Sequence, residues 1–297
     1  MELGRRDFMK GLGVAAGGFI LCRPSGLVKL DSVVHASSEE VAMLVDVSKC
    51  VGCWWCYAAC KQYNGFPEVI KPDPEKPPEL ASQTWSTLVP VKKDEEWHFR
   101  KQACMHCTEA ACVEVCPTGA LSYNSLGFVQ YERGLCSGCG YCVEFCPFSV
   151  PQLESNRMID VGVVDKCTFC IDRVTAGQQP ACAEACPMGA IKFGKRSELL
   201  EEGKRRVVEL SKTSPQARLY GENEAGGLHV MYVLDDSPES YDLPADPQLP
   251  AATTVRDVLQ LAGYALTGLV VAGLGLNYLV ARANTNKEAK SKAKAKE

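Results

Sequence analysis

Sixteen of the seventeen cysteines fall into four groups whose spacing suits iron and sulfide. Cys50, Cys53, Cys56 and Cys60 read C-x2-C-x2-C-x3-C, and Cys136, Cys139, Cys142 and Cys146 repeat that run with Pro147 behind it. Cys104, Cys107, Cys112 and Cys116-Pro117 widen the middle gap to four residues, and Cys167, Cys170, Cys182 and Cys186-Pro187 widen it to eleven. Three closely set cysteines let one short loop wrap three corners of a cubane with its N–H groups turned toward the sulfurs, and proline stops the helix or turn that follows. Structural zinc favours two separated C-x2-C pairs. Disulfides gain nothing from cysteines on one tight turn, which are poorly placed to reach distant partners. The four runs point to four clusters of the [4Fe–4S] type, with zinc and disulfides as minor alternatives. Each group keeps four cysteines; the first alone lacks the proline and carries Lys61 there.

The elements that position these loops are short. Strand-forming runs precede three of the groups, at 43–47, 128–131 and 161–164. Thr118-Gly119-Ala120-Leu121 and Met188-Gly189-Ala190-Ile191 follow the other prolines after the second and fourth. Strand, cluster loop, short helix and strand make the grammar of a ferredoxin module. The predicted fold class is α+β, with two tandem bacterial-ferredoxin-like modules over 37–195 and one C-terminal transmembrane helix. The proline-rich stretch 71–78 reads as an extended surface loop. Residues 197–210 have helix-forming composition, with Ser197 as N-cap and Gly203 as a weak point. They belong to a segment, 196–257, expected as an α/loop extension that contacts partners.

From Cys50 to Pro187 the pattern resembles the iron–sulfur (β) subunits of membrane-bound respiratory oxidoreductases: formate dehydrogenase N, periplasmic uptake hydrogenase and the wider dimethyl sulfoxide reductase type. The likeness continues in Tyr220-Gly221-Glu222, in Gly226-Gly227-Leu228-His229-Val230-Met231-Tyr232-Val233-Leu234 and in Asp242-Leu243-Pro244. The resemblance implies that the groups exchange their last cysteines. Cys50, Cys53 and Cys56 then share a cluster with Cys186; Cys104, Cys107 and Cys112 with Cys146; Cys136, Cys139 and Cys142 with Cys116; and Cys167, Cys170 and Cys182 with Cys60. It also implies a relay from a large catalytic subunit, a nickel–iron hydrogenase or a molybdopterin or tungstopterin dehydrogenase, to a membrane cytochrome b or other quinone-reactive subunit. The C-terminal helix favours the formate dehydrogenase kind, and an export signal on this chain favours the hydrogenase kind.

Both chain ends read as addresses. Arg5 and Arg6, followed by Phe8, Lys10 and a Gly/Ala-rich apolar run, resemble a twin-arginine export signal over 1–36, with cleavage after Ala36 and Cys22 removed as a bystander. Residues 258–281 carry no formal charge and at about 1.5 Å per residue are long enough for a bilayer core of about 30 Å. Arg282, Lys287, Lys290, Lys292, Lys294 and Lys296 crowd the tail, 282–297, so the positive-inside bias puts it in the cytoplasm and the cysteine domain on the periplasmic face of a single-pass protein. A cluster protein loaded in the reducing cytoplasm needs a route that exports it folded, which the twin-arginine pathway provides.

With a net charge of -4 and a basic tail, the body of the chain is acidic, which excludes nucleic acid as a partner. No phosphate-binding glycine loop, nucleophile elbow or zincin helix is present, so the chain reads as a non-catalytic subunit. A stand-alone membrane-tethered ferredoxin, an electron-transfer subunit of another molybdopterin reductase and a free-standing reductase are the rivals. Trp54 and Trp55 lie inside the first loop, as packing residues or as a shield for a cluster. His106 reads as a bystander beside the ligands or at the surface, and His229 as structural.

Overall fold

The computed structural model describes residues 40–67, 72–93, 95–155 and 162–247, together with a helix over 251–294. Arg5, Arg6, Cys22 and the expected cleavage point lie outside the described residues. In chain order the elements are β1 (Val41–Asp46), α1 (Trp55–Tyr63), β2 (Ser86–Lys93), β3 (Glu96–Ala103), α2 (Ala111–Glu114), β4 (Leu121–Tyr123), β5 (Val129–Tyr131), α3 (Tyr141–Glu144), β6 (Gln152–Ser155), β7 (Gly162–Asp165), α4 (Ile171–Thr175), α5 (Ala181–Glu184), β8 (Ile191–Lys195), α6 (Arg196–Leu210), β9 (Arg218–Tyr220), β10 (Val230–Leu234) and α7 (Ala251–Lys294). The strand-forming runs thus become β1, β5 and β7, and strands also follow the second and fourth groups as β4 and β8.

One sheet has the order β8-β1-β10-β9, and three hairpins, β2-β3, β4-β5 and β6-β7, carry the rest. β1 pairs parallel with β10 and antiparallel with β8. Side chains alternate across a strand, so this sheet has two buried faces. Met43 and Val45, with Val230, Tyr232 and Leu234, face the cysteine loops. Ala42 and Leu44, with Met231 and Val233, face Leu199 of α6.

The segment after residue 195, expected as an α/loop extension, also supplies strands to this sheet: β10 lies between β1 and β9. Ser197 is not the N-cap of α6. The β8 ladder runs to Lys195, opposite Val41, and the Arg196 N–H continues it onto Glu40 O at 2.8 Å, so the helix starts at Arg196 with Lys195 as its cap residue. Gly203 has a packing reason that composition did not show. A Cβ there would lie 2.7 Å from Leu219 Cδ1 and 3.3 Å from Leu44 Cδ1, so its absence lets α6 sit close on the sheet. The described part of the proline-rich stretch is neither helix nor strand, and holds only an isolated bridge between Asp73 and Lys76.

α7 contains the predicted 258–281 span and runs beyond it at both ends. Within it Ala262–Thr285 is 24 residues, all exposed, long enough to cross a membrane, and holds an 18-residue window of mean hydropathy 1.6. Leu266, Leu269, Val270, Leu274 and Leu279 are among the large apolar side chains left bare there.

Candidate metal centres

All four cysteine loops share one backbone feature. The second residue between the first two cysteines has a left-handed conformation in each: Gly52 at φ 63°, His106 at 48°, Gly138 at 70° and Phe169 at 61°. That twist turns its N–H back onto the first cysteine, making a concave nest of donors suited to an anion. Gly52 donates to the Cys50 sulfur, His106 to Cys104 and Gly138 to Cys136; the Phe169 N–H lies 3.4 Å from Cys167 Sγ. Glycine reaches this conformation freely, whereas His106 and Phe169 are strained there.

The prolines explain a second regularity. Behind Pro117, Pro147 and Pro187 the chain turns through Gly119, Ser149 and Gly189, all at positive φ. α2, α3 and α5 accordingly stop after four residues each. With Lys61 in place of proline, α1 keeps its N–H ladder and runs for nine residues, to Tyr63. Asn64 Nδ2 then donates to Cys60 O at 2.7 Å and reaches Cys60 Sγ at 3.6 Å.

Helix packing gathers the sulfurs into four sets. α1 lies on α5, and α2 on α3. One cavity is lined by Cys50, Cys53, Cys56 and Cys186, another by Cys136, Cys139, Cys142 and Cys116. Cys60 has Cys167, Cys182 and Cys170 as its sulfur neighbours, and Cys107 has Cys104, Cys146 and Cys112. In each set three cysteines come from one loop and the fourth from another. None of these sixteen is in a disulfide. Among the described residues no three such side chains converge on a point that would hold a single metal ion.

The sets also stand in a definite order. Cys56 of the first neighbours Cys182 of the fourth, Cys104 of the second neighbours Cys167 of the fourth, and Cys112 of the second neighbours Cys142 of the third. The sequence in space is therefore first, fourth, second, third. Both ends are accessible: Val51, Trp55 and Met188 are exposed about the first set, while Cys139, Tyr141 and Leu135 are exposed about the third.

The electrostatics fit a polynuclear centre. Burial, and then neighbouring sulfurs, push Cys56, Cys142 and Cys170 up to about 12, and raise Cys60 and Cys107 well above the ordinary thiol range. Four such thiols cannot ionise together without positive charge among them, which iron would supply on binding. In the third set burial raises Cys116 and Cys136, yet hydrogen bonds outweigh it and hold both thiols below that range; those to Cys116 come from the Leu121 N–H, the Thr118 hydroxyl and N–H and the Ala120 N–H. The donor set, the N–H nests and the sulfur-lined cavities all suit an iron–sulfur cluster.

Trp54 is packed in the core edge-on to Tyr57, while Trp55 is exposed. His106 is not at the surface. It is fully buried, with Nδ1 3.0 Å from Val129 O and its ring against Phe169 and Phe128. His229 is buried as well, and its Nδ1–H donates to Val41 O at 2.7 Å. Two residues beside the sulfurs escaped the sequence reading: Lys101, on β3, lines the first cavity, and Lys166 is buried one residue before Cys167. The available signal was the pair Arg100-Lys101 within a strand, since alternation turns one of two adjacent charges to each face.

Two family models, each described as a 4Fe-4S dicluster domain, match residues 49–120 and 95–196. The formate dehydrogenase iron-sulfur subunit of Haemophilus influenzae is 39% identical over 84% of this chain and 83% of its own length. The chain belongs to that iron–sulfur subunit family. The nitrate-inducible formate dehydrogenase iron-sulfur subunit of Escherichia coli K12 is 38% identical over 84% of this chain and 87% of its own length. The hydrogenase-2 operon protein HybA of Escherichia coli O157:H7 is 32% identical over 92% of this chain and 94% of its own length.

Proposed function

We propose that this chain is a non-catalytic relay that holds four [4Fe–4S] clusters between a catalytic subunit and a quinone-reactive membrane subunit. The clusters would supply one-electron carriers. The chain's own residues hold them, space them and exclude water from the inner two. The ligand sets are Cys50, Cys53, Cys56 and Cys186; Cys104, Cys107, Cys112 and Cys146; Cys136, Cys139, Cys142 and Cys116; and Cys167, Cys170, Cys182 and Cys60. The observation that carries this reading is the single file of four sulfur sets with exposed residues about both of its ends. A free-standing enzyme would need one substrate pocket, not a line with two open ends.

The catalytic partner is of the formate dehydrogenase kind, as the 38–39% identity to those iron–sulfur subunits suggests. A hydrogenase partner is the second reading, favoured by the match to HybA over 92% of the chain. The stretch Ala262–Thr285 anchors the chain in the membrane, because bare apolar side chains along a whole helix call for lipid or protein around them. The cluster domain lies on the periplasmic face, with the basic tail inside.

Purification from membranes should bring down a large subunit together with about sixteen iron atoms per copy of this chain. Cys60→Ser should remove the electron paramagnetic resonance signal of the cluster held by Cys167, Cys170 and Cys182, leaving three. Loss of the first group's signal alone would overturn the exchanged ligand sets.

A further inference from the structure

Lys101 is buried at 2% exposure on β3, where Tyr232 Oη donates to its carbonyl at 2.9 Å. Its neighbour Arg100 points to the opposite face and satisfies its Nε–H on Tyr241 O at 2.6 Å. Lys101 shares the first cavity with Cys50, Cys53, Cys56, Cys186 and its strand partner Leu88. It is also a neighbour of Cys60, Cys170 and Cys182 in the fourth set. Among the groups that act on it are the Cys182, Cys167 and Cys56 sulfurs and the Tyr232 hydroxyl. A buried lysine is expensive in a fold unless something negative stands beside it.

We infer that Lys101 is the shared counter-charge of the clusters in the first and fourth sets, raising the reduction potential of both relative to the same fold without it. This rests on the cluster reading above. A cluster ligated by four thiolates is net negative and gains one more negative charge when it takes an electron from its neighbour, with no proton required. A fixed cation between two clusters favours the reduced form of each, and net charge is among the determinants of cluster potential. The second set has its own lysine: Lys166 Nζ donates to Val129 O at 3.2 Å and to Cys167 O at 3.1 Å, and its charge acts on Cys104, Cys112 and Cys146. The two lysines divide the line, so removing Lys101 should be felt at one end only.

The test is a redox titration of the intact membrane complex, following each cluster by electron paramagnetic resonance, in Lys101→Met and Lys101→Arg. In Lys101→Met the reduced-to-oxidised ratio of the first-set and fourth-set clusters, read at a fixed potential, should fall at least tenfold, a shift of about 59 mV for one electron. The other two clusters should stay in place, and Lys101→Arg should restore most of the shift. Four intact clusters with unmoved potentials, or with all four moved alike, would overturn the inference while leaving the cluster reading standing. Failure of the cluster reading shows differently, as a wild-type complex lacking the iron. If Lys101→Met does not load, loss of iron from the first and fourth sets alone, with loading rescued in Lys101→Arg, upholds the counter-charge. Loss from all sets, or no rescue by arginine, makes Lys101 a packing residue and overturns it.

Discussion

The two outer cysteine sets and the two inner ones solve the same geometric problem with different residues. At the left-handed position of the loop, the outer first and third groups carry Gly52 and Gly138, and the inner second and fourth carry His106 and Phe169. Glycine is needed outside because other atoms already occupy the space. A Cβ on Gly138 would lie 2.0 Å from Gly162 O, and one on Gly52 would lie 2.3 Å from the Phe99 ring. Inside, the side chain at that position is itself the filler: His106 and Phe169 meet at 4.8 Å between centroids, and Phe128 packs on both. The boundary between the second and fourth sets is thus closed by rings held on strained backbone. The strain, of order 1–3 kcal/mol per residue, is accepted where it excludes water from the middle of the line.

This contrast is most easily broken at Gly138. Gly138→Ala must move the Gly162 carbonyl, which belongs to the backbone of β7, so the expected outcome is loss of the third-set cluster with the other three retained. Electron paramagnetic resonance of the purified complex reads it directly, and a full third-set signal would mean that the loop tolerates a Cβ after all. Gly52→Ala meets a side chain instead of backbone and should lose less of its own cluster. At the inner position the expectation inverts. Phe169→Ala should destabilise the fold by about 3–5 kcal/mol through the cavity it leaves. Phe169→Gly leaves a similar cavity but relieves the left-handed strain, so it should be the more stable of the two by about 1 kcal/mol. Denaturant unfolding of both variants ranks them, and alanine ranking above glycine would show that the strain is not felt.

The ligand loops were largely legible in the sequence because cluster chemistry constrains spacing: sixteen cysteines and three prolines mark the loops and the ends of three short helices. Which sulfurs come near one another is set by tertiary packing, α1 on α5 and α2 on α3, and an exchange of ligands between groups follows from the sequence by resemblance only. β10 went unplaced because a parallel partner some 185 positions away leaves no local trace; Met43 meets Val230. Ser197 has the chemistry of a cap, but the β1–β8 ladder fixes the chain until Lys195 and the helix begins before the serine can act. His106 looked incidental for a similar reason. A histidine beside a cysteine carries no mark of burial until Phe128 and Phe169 are brought over it.

The last expected effect separates the inner half by pH. The His229 backbone N–H reaches the carbonyls of Met105 and His106 at 3.2 Å, so this residue pins the second loop to β10. Burial, and then the nearby Arg196 charge, work against its imidazolium, and its pKa falls to about 4 despite the hydrogen bond to Val41 O. An unfolded histidine titrates near 6.5. Between those values the unfolded chain binds a proton that the folded chain refuses, so stability is complete above about 6.5 and declines as pH falls toward 4. At pH 5 the loss amounts to about 2 kcal/mol. His229→Asn keeps an N–H for Val41 O but cannot titrate, so its stability should fall by about that much less than wild type between pH 7 and pH 5. Equal declines in the two proteins would place the acid sensitivity elsewhere. A smaller decline in the variant, with the second-set signal outlasting that of wild type at pH 5, would tie it to the loop that His229 holds.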